Sequence, residues 1–549
     1  MRSDRSIWFL ASMLVVTLFA FALRSVDLGN RPMHGDEAVH AEKFRELWEK
    51  GIYRYDSNEY HGPTIYYAAL PSVILHGRHN WPDTREADYR LPIAIFGSAM
   101  LVLLLPLAPA LGRKSTLVGA IFIAISPAFV FYSRYFIQEI PFVFFTLGMI
   151  AAGWRYAQTQ SRLWLMLTGL SAGLMVASKE TAVLSLLAMG AAILLTVAYT
   201  RRRDGRKLDI FALVPVKDLA IATFIALLVS CFLVSGLFKN PAGPLDYLRA
   251  YLPWFHRARG DSVIHNEPFF HYLSLLIYTH KQYQGVWGGV WSEGLIVVLA
   301  LVGAIVAFSL KSPTIQKEKK FDSRAILWRF VAFYTITLTL IYSAIPYKTP
   351  WCLLSFYLGF CLLAGLGVVT LLTRLPGVPL RVLAAIIIIV FGRQLYGQAY
   401  RASFVSNADP NNPYVYAATS ADVLKFQKRI DDIAKAWPAH NQILIKVFGT
   451  SNYYWPLPWY LRRYPNVGYY PHAPATKKEA AADITVCDTA LDEPLTALLG
   501  DDDLMNGINE VRPRTFFVET FIRMDVWTTY LNAGNGGVTK KFVPPPPAE

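Results

Sequence analysis

Long apolar runs recur along most of this chain, and they constrain its fold more than any other feature. A helix needs about 20 residues to cross about 30 Å of hydrocarbon. We count about eleven candidate spans, and charged residues make up only 17% of the chain, against about 25% in soluble domains. The pattern predicts an α-helical polytopic membrane protein. The predicted spans are residues 7–23, 91–111, 117–132, 140–154, 163–178, 181–199, 219–238, 294–310, 325–345, 351–372 and 382–391.

The net charge of +14 follows the predicted topology. Basic residues cluster in alternate short loops, and the positive-inside rule places those loops, with the amino terminus, in the cytoplasm. We therefore expect an integral cytoplasmic (inner) membrane protein that does not bind nucleic acid. The basic groups are Arg2 and Arg5, 113–114, 155 and 162, 201–207, 311–320, and 374 and 381.

The remaining segments are predicted to face the extracytoplasmic side. They include two large outer loops, 29–90 and 239–293, and they hold all eleven histidines. From about residue 401 the chain becomes more hydrophilic, and strand-like runs alternate with helical ones, which favours a small α/β domain. We expect a membrane domain, 1–396, and an extracytoplasmic α/β domain, 397–549, with a disordered Pro-rich tail. The predicted strands are 443–448, 484–487 and 515–522, and the helices are 420–437 and 477–482.

Asp36 and Glu37 form a carboxylate pair just beyond the first span, directly after His34-Gly35. One interpretation is structural, because carboxylates favour the amino-terminal turn of a helix and 37–50 looks helical. The other is chemical, because a carboxylate can take the proton of an attacking hydroxyl. We predict Asp36 as that general base and Glu37 as its support.

Other charged groups stand at predicted outer span ends. Arg134 and Glu139 could form a helix cap or an internal ion pair; alternatively, Glu139 joins Asp36 while Arg134 offers a planar fork to phosphate. Lys179 and Lys348 could snorkel. Lysine is less expected on the outer side, however, so both also indicate a bound anion such as a lipid phosphate. The cluster 59–67 contains His61, which interfacial anchoring does not explain.

Together these segments resemble the integral-membrane GT-C glycosyltransferases, in the branch of protein O-mannosyltransferases and lipid A aminoarabinose transferases. Within that branch they are similar to prokaryotic proteins associated with flippase activity in N-glycosylation pathways. The resemblance covers about 7–396. The matching motifs are Asp36-Glu37, 134–139, 174–181, 265–270 and 342–351.

The resemblance implies a GT-C-like fold and an enzyme that moves a sugar from a polyprenyl-phosphate donor to a hydroxyl acceptor on the extracytoplasmic side. It implies Asp36 as the catalytic base, Glu37 and Glu139 as acidic helpers, and Lys179 and Lys348 as contacts to the donor phosphate. To this site we add Arg134 as a donor-phosphate ligand, and His34, His61, Tyr347, Glu180 and His265 as substrate contacts.

No cofactor is required by this chemistry, although a divalent metal is compatible with it. The potential ligands are His34 with Asp36, or His265, Glu267 and His271. The alternative function is non-catalytic: assisting the flipping of lipid-linked sugars or the assembly of the cell envelope. A secondary transporter is disfavoured, because its substrate-binding charges would be expected near the bilayer midplane.

Overall fold

The computed structural model describes residues 2–57, 61–205, 208–260, 265–283, 285–311, 323–450 and 454–534. Several features of the sequence lie outside these ranges. They are Glu59 and Tyr60, most of the basic segment 311–320, and the Pro-rich end 543–547 predicted to be disordered.

Within the described residues, eight helices are long and apolar enough to cross a membrane, and three apolar helices are shorter. The polytopic helical fold is therefore confirmed. The eight long helices are Ser6–Ser25, Glu86–Leu104, Glu139–Thr159, Ala182–Asp204, Val216–Val234, Arg324–Ala344, Pro350–Arg374 and Val378–Val405; the shorter ones are Thr64–Leu75, Arg162–Val176 and Gly294–Ser309.

One predicted span, 117–132, is interrupted. The helix Arg113–Ile125 stops at Ser126, whose backbone is extended, and a second helix, Pro127–Tyr132, starts at the proline. Pro127 has no N–H to continue the first helix, and the residue before a proline is pushed out of the helical region. Ser126 Oγ then accepts a hydrogen bond from the Phe129 amide and caps the second helix.

The helix Leu354–Arg374 is the centre of the bundle, and nearly all of its apolar window is buried. Close backbone approach makes this possible, since small residues let membrane helices pack together. A Cβ at Gly365 or Gly367 would overlap the carbonyl oxygens of Ser115 or Leu299, and one at Gly303 would overlap that of Leu363.

Among the described residues, six further α-helices lie between the spans or in the loops: Gly35–Lys50, Ala108–Leu111, Ile210–Leu213, Gly243–Arg249, Tyr251–Ala258 and His271–Ile277. A two-stranded hairpin, Gln282–Tyr283 with Val286–Trp287, follows the last of them. The helix Gly35–Lys50 matches the helical stretch predicted after the Asp36-Glu37 pair.

The C-terminal part carries a five-stranded mixed sheet. Ile445–Phe448 lies between Val467–Tyr470 and Ile484–Asp488, both parallel to it. Phe516–Arg523 pairs antiparallel with Ile484–Asp488, and Asp503–Arg512 forms the far edge. Three of the strands match predicted runs, while the partly exposed Val467–Tyr470 and Asp503–Arg512 were not predicted. The helices of this part are Asp422–Ala436, Leu457–Tyr460, Lys477–Ala480, Asp492–Leu499 and Met524–Gly534.

A fully buried carboxylate, Glu293, ties the C-terminal part to the bundle. It accepts hydrogen bonds from the Tyr414 hydroxyl at 2.6 Å and the Tyr357 hydroxyl at 2.8 Å. Ser126 Oγ at 2.6 Å and the Ala128 amide at 3.0 Å complete the set. Four donors compensate the loss of hydration, as a buried charged group requires.

Tyr414→Phe should therefore destabilise the protein by about 1–3 kcal/mol, because it leaves a buried acceptor short of a donor. Thermal unfolding of the purified protein in detergent measures the change. Tyr396→Phe, at an exposed tyrosine of the helix Val378–Tyr400, is the matched control. Equal melting temperatures for the two variants would contradict this role of Glu293.

Candidate active site

A cavity of about 430 Å³ opens where several helix ends and loops meet. Its wall comes from distant parts of the chain, and both charged and aromatic side chains reach it. The lining includes Asp36, His40, His61, Lys179, Glu180, Val183, Leu184, Trp254, Phe255, Arg257, Ile345, Tyr347, Cys352 and Trp455.

Asp36 and Glu37 separate at the start of the helix Gly35–Lys50. The Asp36 side chain is 55% exposed and lines the cavity, whereas Glu37 is completely buried. Adjacent helical residues point about 100° apart, so one carboxylate can face the cavity while its neighbour faces the core. The two residues therefore have different environments.

His34 caps this helix. Its Nδ1 accepts a hydrogen bond from the Asp36 amide at 3.1 Å, and its amide donates to Glu37 Oε2 at 3.0 Å, which together form a capping box. Its Nε2 lies 2.8 Å from the Tyr416 carbonyl and donates to it. His34 thus has both ring nitrogens engaged within the protein and orients the backbone at Asp36.

Glu37 joins three segments of the chain. Arg90 donates to both carboxylate oxygens at 2.8 Å, and Arg31 donates to Oε2 at 2.6 Å. The Phe136 amide adds a hydrogen bond at 2.8 Å. Burial alone would raise the pKa of the Glu37 carboxyl, but Arg31 and Arg90, with the Phe136 amide, outweigh burial and lower it to about 2. Glu37 therefore stabilises the site from inside the protein and does not line the cavity.

Lys179 lines the cavity and forms a buried ion pair with Glu139. The thiol of Cys352 lies 3.8 Å from the Lys179 ammonium and 3.9 Å from Glu139. The structure thus brings two of the predicted residues together. Glu139 stands behind the lysine and holds its ammonium group at the cavity.

Glu180 and His61 form a hydrogen-bonded pair at the cavity. Glu180 Oε2 lies 2.9 Å from His61 Nδ1, while Oε1 accepts from the Tyr55 hydroxyl at 2.7 Å and the His61 amide at 3.0 Å. Burial raises the pKa of Glu180, but His61 and these hydrogen bonds reverse the effect and leave it lowered. The His61 ring also stacks on Trp254 at 5.6 Å.

Arg134 lies away from the cavity. Its guanidinium donates to the carbonyls of Arg24 at 3.0 Å, Val26 at 2.5 Å and Asp27 at 3.0 Å. These carbonyls lie at the end of the helix Arg2–Ser25, where the last carbonyls have no partner in the helix. The pair predicted between Arg134 and Glu139 does not form, because Glu139 pairs with Lys179.

Lys348 and His265 lie on two short segments that pair through backbone hydrogen bonds. The Lys348 amide donates to the His265 carbonyl at 3.1 Å, and Asn266 forms a bridge with Tyr347. The Lys348 ammonium donates to the carbonyls of Glu267 at 3.1 Å and Ile345 at 2.5 Å. Tyr347 lines the cavity, but Lys348 is buried behind it.

Sequence reasoning missed Arg257, His40 and Trp455, all of which line the cavity. Arg257 lies on the helix Tyr251–Ala258, and its guanidinium is 5.0 Å from the Trp254 ring centroid. The signal that drew attention to Lys179, a cation on the predicted outer side, applies equally to Arg257. Trp455 lies in the C-terminal part, and no comparable feature of the sequence indicated a functional role for it.

The residues suggested as metal ligands do not fit a metal centre. No group of three or more His, Cys, Asp or Glu in the described ranges has suitable geometry. Both ring nitrogens of His34 are engaged by the protein, and His271 Nδ1 pairs with Glu267 Oε2 at 3.0 Å.

Comparison with known proteins identifies the fold. Residues 77–236, less than a third of the chain, match the family described as dolichyl-phosphate-mannose-protein mannosyltransferase. No curated protein sequence matches. ArnT from Cupriavidus metallidurans bound to undecaprenyl phosphate aligns with a TM-score of 0.60 and 14% identity, over 95% of this chain and 98% of that one. Its apo structure aligns with a TM-score of 0.61 and 14% identity, over 94% and 98%.

The fold and the matched segment confirm the predicted resemblance to GT-C glycosyltransferases of the O-mannosyltransferase and ArnT-like branch. The chain is a multi-pass membrane protein, and its residues 77–236 resemble a family of mannosyltransferases. Its fold is similar to that of ArnT over nearly the whole of both chains.

The buried network around Glu37 predicts a pH-dependent stability. Glu37→Gln should cost about 3–5 kcal/mol, because it leaves Arg31 and Arg90 buried without their partner. Since the pKa of Glu37 is lowered from 4.5 to about 2 by folding, its contribution is complete above about pH 4.5 and is lost as the pH falls toward 2.

Thermal unfolding of the variant between pH 7 and pH 3 checks both points. Its melting temperature should start lower and fall less on acidification than that of the wild type. Glu49→Gln, at an exposed carboxylate of the same helix, should behave like the wild type. An unchanged melting temperature for Glu37→Gln would contradict the anchoring role.

Proposed function

We propose that this protein transfers a sugar from a polyprenyl-phosphate donor to a hydroxyl acceptor on the extracytoplasmic side of the membrane, with Asp36 as the general base. One observation carries the proposal. A single cavity holds an exposed carboxylate, Asp36, together with the cationic side chains of Lys179 and Arg257. These are the two kinds of group that the reaction needs.

The cavity has an apolar side suited to a lipid chain. Val183 and Leu184 come from the first turn of the helix Ala182–Asp204, and Ile345 follows the helix Ser323–Ala344. Phe255, on the helix Tyr251–Ala258, is largely exposed and also lines the cavity. A polyprenyl chain entering between these helices would bring its phosphate to Lys179. The binding of undecaprenyl phosphate by ArnT, a protein of similar fold, supports this class of donor.

The reaction is a direct displacement. The acceptor hydroxyl gives its proton to the Asp36 carboxylate as its oxygen attacks the anomeric carbon. The bond from that carbon to the phosphate oxygen breaks, and the electron pair leaves with the polyprenyl phosphate. Lys179 and Arg257 stabilise the developing charge on that phosphate. Attack from the face opposite the leaving group inverts the anomeric configuration.

The remaining predicted residues take supporting roles in this proposal. Glu37 and His34 hold the backbone at Asp36, and Glu139 orients Lys179. Glu180 orients His61, which with Tyr347 contacts the substrates. Arg134, Lys348 and His265 stabilise loops and backbone ends, and Arg257 replaces Arg134 and Lys348 as a phosphate ligand. The distribution of basic loops supports a cytoplasmic amino terminus and a cavity on the other side of the membrane.

Asp36→Asn should abolish transfer while leaving folding intact, because the exposed side chain is not part of the buried network. We expect product formation to fall by about 10²–10⁴-fold, the usual contribution of general acid–base catalysis. The assay follows transfer of radiolabelled sugar from undecaprenyl-phosphate-linked donors by the purified protein. Glu46→Gln, on the same helix and outside the cavity lining, is the control.

Full activity of Asp36→Asn would remove Asp36 as the base. The non-catalytic alternative would be favoured if the wild-type protein bound undecaprenyl phosphate but formed no product from any lipid-linked donor.

Arg257→Gln should weaken binding of undecaprenyl phosphate by about tenfold or more, because it removes a charge-assisted contact. Microscale thermophoresis in detergent measures the affinity. The matched control is Arg249→Gln, at an exposed arginine of the preceding helix that does not line the cavity.

The double variant Lys179→Gln/Glu139→Gln tests the second cation without leaving a buried charge unpaired, and it should also bind the lipid more weakly. Wild-type affinity in both the arginine variant and the double variant would contradict the assignment of the phosphate site.

A further inference from the structure

The C-terminal part of the chain holds the backbone immediately before Asp36. The Met33 amide donates to the Tyr460 hydroxyl at 2.8 Å, and the Met33 carbonyl accepts from Thr419 Oγ1 at 2.8 Å. His34 Nε2 donates to the Tyr416 carbonyl at 2.8 Å. Three hydrogen bonds from beyond residue 400 therefore set the position of the base.

The same part of the chain reaches the cavity through Trp455. Among the described residues of the cavity wall, Trp455 alone comes from beyond residue 400. It is half-buried, and its carbonyl accepts from Arg512 Nε at 3.0 Å and Nη2 at 2.8 Å. Arg512 ends the edge strand Asp503–Arg512, so the sheet holds this tryptophan in place.

Trp455 belongs to the end of the cavity that contains the base. Arg512, which holds Trp455, also lies beside Gly35, where a Cβ would be 3.7 Å from Nη2. Asp36 follows Gly35, and His40 lines the cavity one helical turn later. The apolar side formed by Val183, Ile345 and Phe255 comes from other elements. The acceptor hydroxyl must come within hydrogen-bond reach of Asp36 to give up its proton. Trp455, at the same end of the cavity, therefore faces the acceptor.

We propose that Trp455 is the acceptor-specificity residue of this enzyme and that it stacks against the sugar ring of a saccharide acceptor. The proposal rests on the transferase function above and names its acceptor class. An indole offers a large, rigid and largely apolar face. A sugar ring has a flat apolar face bordered by hydroxyls, and Asp36 and His40 supply hydrogen-bonding groups beside the indole. An extended peptide has no comparable flat face.

The test uses the purified full-length protein with undecaprenyl-phosphate mannose and undecaprenyl-phosphate glucose as donors. The acceptors are methyl α-mannopyranoside, methyl α-glucopyranoside and a threonine-containing tripeptide. Trp455→Ala should raise the KM for the methyl glycosides by about tenfold, with kcat changed less than about twofold. Affinity for undecaprenyl phosphate should stay within about twofold of the wild type, because the lipid binds elsewhere in the cavity.

Two further variants separate stacking from folding. Trp455→Phe keeps an aromatic face and should give an intermediate KM even if the alanine variant fails to fold. Trp437→Phe changes a tryptophan of the C-terminal part that lies outside the cavity wall, and it should leave every constant unchanged.

Each contrary result is distinct. Unchanged acceptor KM in both Trp455 variants, with an active wild type, would overturn this inference and leave the transferase function standing. Loss of undecaprenyl phosphate affinity would place Trp455 on the donor side and overturn it as well. An effect confined to the peptide would make the acceptor a protein. Absence of product from the wild type with every donor and acceptor would overturn both proposals.

Discussion

The buried ion cluster around Glu37 is the interaction on which the site depends. A carboxylate without access to water is tolerated only when it is paired and hydrogen-bonded, and Arg31 and Arg90 with the Phe136 amide meet that demand. The cluster joins the first loop, the helix Glu86–Ala99 and the loop before Glu139 at one point. Because Glu37 is held inward at the start of a helix, its neighbour Asp36 faces the cavity.

The rest of the cavity follows from the location of polar groups in a membrane bundle. Placing polar backbone and side-chain atoms inside hydrocarbon costs free energy. Polar and charged groups of a site therefore lie where helices end and loops begin. Lys179 and Glu180 lie in such a turn between two spans, and each is oriented by a partner from another segment, Glu139 or His61. The C-terminal part of the chain closes the same region: Trp455 lies in the wall, and Thr419 and Tyr460 hold the backbone at Met33.

Particular residues show how far the sequence could lead. The apolar runs predicted most of the apolar helices, but not the break at Ser126-Pro127, the end of one helix at Leu104 within the predicted span 91–111, or the helix Thr64–Leu75. The first-loop pair pointed to Asp36. The same reasoning treated Lys179 and Lys348 alike, since both are lysines at predicted outer span ends. In the structure Lys179 reaches the cavity, whereas Lys348 donates to backbone carbonyls behind Tyr347. Their neighbours in space, which sequence position does not reveal, make the difference.

Sequence by itself determined the class of this protein: a polytopic helical membrane protein with basic residues clustered in alternate loops, a C-terminal α/β region and an acidic pair beyond the first span. Those features depend on hydropathy, charge and periodicity, which are properties of short stretches of chain. Tertiary structure alone decided that Asp36 is exposed and Glu37 buried, that Glu139 pairs with Lys179 instead of Arg134, and that Arg257 and Trp455 complete the wall. Burial and ion pairing depend on residues that lie far apart in the chain, and only the folded protein brings them together.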